Sequence, residues 1–246
     1  MTGLGTIVNM LLVLVGSTIG ILIKGGLKTK YQETIMNGLG LAVIFIGISG
    51  ALQGLLIVEG SGLKTTNTML MIISLALGGF IGEWIDIEAR LDRVGESLKK
   101  TFKVKGEKGN GFVESFVNSS LLFCVGAMAI IGSLQDGLSG DPSMLIAKGV
   151  IDGVVAIFFA STLGIGVFFS VIPMAIYQGS ITLLSTFVEP YLSERLISNI
   201  SFVGSILILG IGINMIFGKK IKVGNLLPAV LIPIIYEIIM NFFIFY

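Results

Sequence analysis

Residues 149–188 run for forty positions with a single charged side chain, Asp152. A helix needs about 20 apolar residues to cross the ~30 Å hydrocarbon core of a bilayer, so this stretch alone is long enough to cross twice. Inside lipid the backbone must bond to itself, which makes helices the expected form of such runs. Strands of a membrane barrel would be about ten residues of alternating character, whereas the runs here are longer and apolar on all sides. Further runs lie near 5–23, 36–58, 68–82, 117–134, 198–217 and 226–246, the third of them short for a span. Charged residues make up only 13% of the chain and hydrophobic ones 54%. A soluble domain carries about 25% charged residues to cover its water-facing surface. The sequence therefore predicts an all-α fold, a polytopic integral membrane helical bundle of about eight spans, with 1–246 as a single transmembrane domain.

Lys and Arg concentrate in cytoplasmic loops, and this rule tests how often 149–188 crosses. Two crossings put thirteen basic residues on one side, against Lys64, Lys148 and Arg195 on the other. One crossing moves Lys219, Lys220 and Lys222 across and leaves ten against six. Eight spans with both termini outside is the better division. A pair of re-entrant half-helices preserves the same parity, with Gly164, Gly166 and Pro173 as places to turn or break, and the sequence leaves both open. The first run has no basic residues ahead of it and no clean small-x-small cleavage site, so it reads as a retained helix.

The one sizeable polar segment is 83–114. Ile87, Leu91 and Val94 recur at helical spacing among mixed charges, which predicts an amphipathic helix along the cytoplasmic interface with Trp84 at headgroup depth. Its Lys-rich continuation to Lys108 reads as a loop that meets anionic lipid favourably. The run from Gly106 to Gly111 lacks the Gly-Lys-Ser/Thr and the preceding strand of a phosphate loop.

Glycine occurs 34 times. Small residues four apart let membrane helices approach closely, and Gly16 with Gly20, Gly78 with Gly82, and Ala160 with Gly164 form such pairs. They are expected to serve as packing or oligomer faces. A shift of 62 lays Gly16–Gly20 over Gly78–Gly82, and a shift of 144 lays Ser17-Thr18-Ile19-Gly20 over Ser161-Thr162-Leu163-Gly164. A parallel repeat of helical hairpins accounts for both.

Ionisable groups at membrane depth cost about 2.5–3.5 kcal/mol each on insertion scales and usually face a bundle interior or a water cavity. Glu237 falls eleven residues into the last run, near the expected midplane, with Pro233 four before it and Asn241 four after. Carboxylate, proline-freed carbonyl and amide on one face make an oxygen-rich lining suited to a cation or a proton. The alternative is a protonated acid that merely ties two helices. Asp152 is the second candidate, nearer the outer end of its span, with Asp136 and Asp141 in the loop before it as an acidic mouth or as ordinary solvated residues. Gln178, Asn9 and Asn118 are span-embedded amides that contact a solute or join helices.

The charge balance, 16 basic and 15 acidic residues, gives no nucleic-acid footprint. No His and a single Cys leave no disulfide framework and no zinc or haem signature. No nucleophile elbow and no carboxylate cluster with metal-ligand spacing is present, so neither an enzyme nor a cofactor is expected.

The opening Gly3-Leu4-Gly5-Thr6-Ile7-Val8-Asn9 resembles that of domain-of-unknown-function family 554, the YdfK/YqgA-like bacterial membrane proteins. So do Tyr31-Gln32-Glu33-Thr34, Gly47-Ile48-Ser49-Gly50-Ala51-Leu52-Gln53-Gly54, and Gly132-Ser133-Leu134-Gln135-Asp136-Gly137 followed by Lys148, Asp152-Gly153 and Ser161-Thr162-Leu163-Gly164. The resemblance covers essentially the whole chain. It implies a multi-pass protein of the bacterial cytoplasmic membrane, suspected of transport, with no catalytic residue to carry over. The expected function is a transporter or channel for a small solute, a cation or a proton-coupled substrate, with a polar site near the midplane. The expected partners are the lipid bilayer, that solute or ion, and further copies of the chain. The alternative is a non-transporting oligomeric scaffold or sensor that engages lipid or a partner through 83–114.

Overall fold

The computed structural model describes residues 2–24, 28–60, 62–102, 111–124, 126–188, 190 and 192–244. In chain order the elements are α1 (Leu4–Lys24), α2 (Thr29–Leu55), β1 (Leu56–Glu59), β2 (Gly62–Thr65), α3 (Thr68–Ile85), α4 (Ile87–Thr101), α5 (Gly111–Cys124) and α6 (Ala127–Leu138). They continue with α7 (Ser143–Thr162), α8 (Gly166–Phe169), α9 (Val171–Leu183), α10 (Ser185–Val188), α11 (Glu194–Phe217), a 3₁₀ segment (Val223–Leu231) and α12 (Ile232–Ile244). Among the described residues the regular structure is helical apart from the antiparallel hairpin β1–β2, which pairs Leu56 with Thr65. That hairpin takes Val58 out of the second expected span, which ends as a helix at Leu55.

Six described helices are long and apolar enough to cross a membrane: Leu4–Lys24, Lys30–Leu55, Thr68–Ile85, Ser143–Thr162, Gly166–Leu183 and Glu194–Phe217. The run 149–188 thus resolves into two long apolar helical segments. The turn between them falls at Gly164, whose φ of +105° is a conformation that L side chains rarely adopt. Pro173 does not make the turn. It sits in the first turn of α9, where a backbone N–H would lack a helical partner anyway.

The fourth expected span, 117–134, is instead a broken pair. Gly111–Cys124 and Met128–Leu138 are bent by 61°, with Gly126 at φ 140° in the break. The last expected span, 226–246, opens as the 3₁₀ segment and becomes α-helical only at Ile232. Pro233 therefore falls at a helix start and frees no mid-helix carbonyl. In the polar segment, α3 runs on through Trp84, which is 82% exposed, and α4 forms the expected helix from Ile87. The Lys-rich tail 103–110 lies outside the described residues.

The chain packs as two compact units, Met1–Leu39 with Leu91–Tyr191, and Gly40–Arg90 with Leu192–Tyr246. In the first, glycines join α1 to α7. Gly5 faces Leu145, Gly149 faces Asn9, Gly16 closes on the Gly153 carbonyl and Gly20 on that of Ile157. The residue numbers rise together, so the two helices run parallel. In the second unit, Gly40, Gly47, Gly50 and Gly54 of α2 meet Ile216, Leu209, Ser205 and Phe202 of α11, an antiparallel pair. Gly78 and Gly82 of α3 meet Ala229 and Asn225 of the 3₁₀ segment. The two glycine pairs related by the shift of 62 thus do the same work, each letting its helix close on a neighbour's backbone.

The contacts give Gly16, Gly20, Gly78 and Gly82 the packing role among the two expected of them, each against a backbone of its own chain. Gly164 is a turn residue; the packing member of its pair is Ala160, which lies against Gly20.

Surface and interior have the polarity of a membrane protein. On α1 the exposed side chains include Ile7, Leu11, Val15 and Leu22, while Thr6, Asn9 and Ser17 are buried. On α7, Val150, Ile151, Val154 and Phe158 face out, and Lys148 and Asp152 face in. Lipid solvates the aliphatic faces, and polar groups are left to find one another inside.

Candidate functional site

Lys148 and Asp152 stand one helical turn apart on α7, and both are buried. Residues at this spacing are neighbours on a helix surface. The Lys148 ammonium donates to an Asp152 carboxylate oxygen and to the Phe123 carbonyl oxygen at 2.9 Å. Phe123 is the next-to-last residue of α5, just before the break. The last four carbonyls of a helix have no intrahelical donor and carry the negative end of its dipole. The interruption of the fourth span therefore creates an acceptor that the lysine fills. Two charges removed from water need such extra hydrogen bonds, because the pair's mutual attraction alone does not repay desolvation.

Two amides complete the group. Asn9 of α1 donates from Nδ2 to Oε1 of Gln178 on α9 at 3.3 Å, and its side chain also lies alongside the Asp152 carboxyl. Asn9 and Gln178 are both fully buried. The glycines of α7 make this approach possible. A Cβ on Gly149 would sit 2.9 Å from the Cα of Asn9, too close for any side chain, so only a bare α7 lets Asn9 reach in. Among the described residues, Asn9 Oδ1 and Gln178 Nε2 have no hydrogen-bond partner. Both are strong polar groups, and leaving them unpaired in a dry interior costs about 1–3 kcal/mol each. A polar solute or an ordered water satisfies such atoms.

Three of the six expected solute-contact residues, Asn9, Asp152 and Gln178, therefore meet. Asp152 lies mid-helix, the tenth of the 20 residues of α7. Lys148, expected in an external loop, is a buried helical residue of the same group. Its i, i+4 spacing to Asp152 was the available signal. Asp136, expected in the external loop as part of an acidic mouth or as a solvated acid, is fully buried near the end of α6, and its Oδ2 accepts from the Gly5 N–H at 3.1 Å. Asp141 alone of the three outer acids is exposed; its Oδ1 accepts from the Ser143 hydroxyl at 2.5 Å. Asn118 is buried on α5 and is not among the hydrogen-bonded members of the group.

Glu237 lies in the second unit. One carboxylate oxygen accepts from the Ser193 hydroxyl at 2.6 Å, and Ser193 is the N-cap of α11. The acid thus sits level with the end of that 24-residue helix. The reason is geometric: a 3₁₀ segment rises about 2.0 Å per residue instead of 1.5 Å and carries the chain to that end sooner. The side chain of Asn241 lies outside the described residues.

A second polar cluster, missed in the sequence, ties α3 and α4 to the 3₁₀ segment. Buried Asn225 donates from Nδ2 to Glu83 Oε2 and accepts at Oδ1 from the Glu88 N–H, both at 2.7 Å. The second bond caps the first turn of α4 from another element. Lys222 pairs with Glu83 at 2.5 Å and Lys219 with Glu88 at 2.6 Å. The hydrogen bond that Lys222 donates to the Glu83 carboxylate, reinforced by that group's charge, holds the Lys222 ammonium above the ordinary lysine range.

Comparison with known proteins places these features in a family. The family described as a protein of unknown function (DUF554) matches residues 4–238. An uncharacterized membrane protein of Bacillus subtilis (strain 168), YdfK, is 34% identical over 239 residues, 97% of each chain. The uncharacterized protein YqgA of Escherichia coli (strain K12) is 30% identical over 231 residues, 93% of this chain and 94% of its own. No solved structure matches.

Proposed function

The chain belongs to the DUF554 family of proteins of unknown function, and we propose that it is a transporter or channel for a small solute, a cation or a proton-coupled substrate, in the bacterial cytoplasmic membrane. One observation carries the reading. The Lys148–Asp152 pair is enclosed by helices beside two amides, of which Asn9 Oδ1 and Gln178 Nε2 have no hydrogen-bond partner among the described residues. Charges at membrane depth are rare, pair with one another or with backbone carbonyls, and mark substrate and ion pathways. Broken helices whose ends face such charges are a recurrent plan of membrane transporters, and α5–α6 supplies one here. This site replaces Glu237 as the centre of the proposal.

The test is flux in proteoliposomes across a panel of ions and small polar solutes. The reading expects uptake by the wild-type chain, a loss of at least tenfold in Asp152→Asn and Gln178→Ala, and near-normal uptake in Glu237→Gln. Sealed vesicles that pass no solute of the panel would overturn it. They would favour the second reading, a membrane scaffold or sensor, for which the exposed Trp84 and the amphipathic α4 speak.

A further inference from the structure

We infer that α1, α6 and α9 together hold a binding site for a monovalent metal cation, centred on Asp136. Asp136 is fully buried, yet only one of its carboxylate oxygens has a partner, the Gly5 N–H at the start of α1. The other, Oδ1, has none among the described residues. A helix N-terminus favours an anion beside it, and one oxygen suffices for that cap. The free oxygen needs a separate explanation.

Its surroundings supply one. Thr6 follows Gly5 on α1, Ser133 precedes Asp136 by one turn on α6, and Thr182 belongs to α9, whose carbonyl at that residue closes on the bare face of Gly137. The hydroxyls of Thr6, Ser133 and Thr182 are all buried and, like Asp136 Oδ1, have no partner among the described residues. Hydroxyls on helices ordinarily donate to a carbonyl one turn back, as Ser119 and Ser120 do on α5. Three that decline this bond, on three helices that pack pairwise on one another, one of which carries the half-used carboxylate, are the oxygen donors from which the inferred site is built. Hard cations take such oxygens. With one formal negative charge and otherwise neutral donors, the set matches a single positive charge. A divalent ion calls for more carboxylates, and among the described residues no group of three acidic or sulfur ligands exists.

The site lies apart from the Lys148–Asp152 pair, one turn along α1 and α9 from Asn9 and Gln178. As a coupling site for uptake it rests on the transport reading above; as a binding site it does not. The experiment is thermal unfolding of the purified full chain in detergent at constant ionic strength, with choline chloride replaced stepwise by sodium, potassium or lithium chloride. The expected result is a saturable rise in Tm with at least one alkali cation and none with choline. That rise should be lost in Thr182→Val and in Asp136→Asn, which keeps an acceptor for Gly5, and kept in Glu237→Gln, which lies in the other unit. A wild-type Tm indifferent to all three cations, or a rise that survives in a folded Thr182→Val or Asp136→Asn, would overturn the site. Flux that proceeds without any cation response would leave transport standing and discard the site. Cation binding without flux would do the reverse.

Discussion

Lys148 bridges Asp152 on its own helix and the Phe123 carbonyl at the end of another, so the ion pair of α7 is also the plug of the α5–α6 break. The charge pair and the interrupted span are one feature. Removing either partner leaves more than a lost attraction.

Asp152→Leu strands the Lys148 ammonium in a low-dielectric interior. Breaking a buried pair from one side costs about 3–5 kcal/mol, whereas replacing both members by apolar residues is often neutral. Lys148→Met with Asp152→Leu should therefore recover most of the stability lost by the single change. Unfolding of all four variants in detergent checks this; single and double variants of equal stability would dissolve the coupling.

The glycines divide by what faces them. Gly16 closes on the Gly153 carbonyl, while nothing lies within 4 Å of a Cβ built on Gly38. Gly16→Ala should push α1 off α7 and lower the folded yield. Gly38→Ala should be neutral or stabilising by up to about 1 kcal/mol, the usual gain of alanine over glycine in a helix. Monodispersity and Tm of the two variants, measured side by side, decide it.

Asn225 caps α4 from the 3₁₀ segment. Asn225→Ala should cost about 1 kcal/mol, the usual worth of an N-cap, and should speed hydrogen exchange at the first turn of α4 well before it affects α7. Uniform exchange along both helices would show that the cap holds nothing locally.

Lys222 gives the second cluster a pH limit. Its folded pKa lies above the ordinary value of 10.5, so its contribution is complete below that value and fades as pH rises through the folded one. The Tm difference between wild type and Lys222→Met should be flat from neutrality up to the ordinary lysine range and shrink above it. A difference that already closes in mildly acid solution would assign the effect to another group.

Much of the site could be read from spacing, and the misreadings share a cause. Asp152, Gln178 and Asn9 stand out because polar groups are rare in apolar runs, and rarity survives any folding. Lys148 and Asp136 read as loop residues if an apolar run ends at its first charge. A charge that finds a partner in the interior ends nothing, and no local pattern reveals that the partner exists. For Glu237 the expected depth assumes the rise of an α-helix through residues that form a 3₁₀ segment.

The chain by itself determined that this is a helical membrane protein, where most of its apolar runs lie, that 149–188 is long enough for two of them, and which small residues recur at packing intervals. These follow from the thickness of the bilayer and from the need of every backbone amide for a partner, both of which act on each segment separately. Only the tertiary structure decided which glycine meets which backbone, that α5–α6 is broken, and that Lys148, Asp152, Asn9 and Gln178 converge. Those outcomes depend on close approach between segments far apart in the chain. An interior that cannot hydrate polar groups forces them to pair wherever packing brings them together.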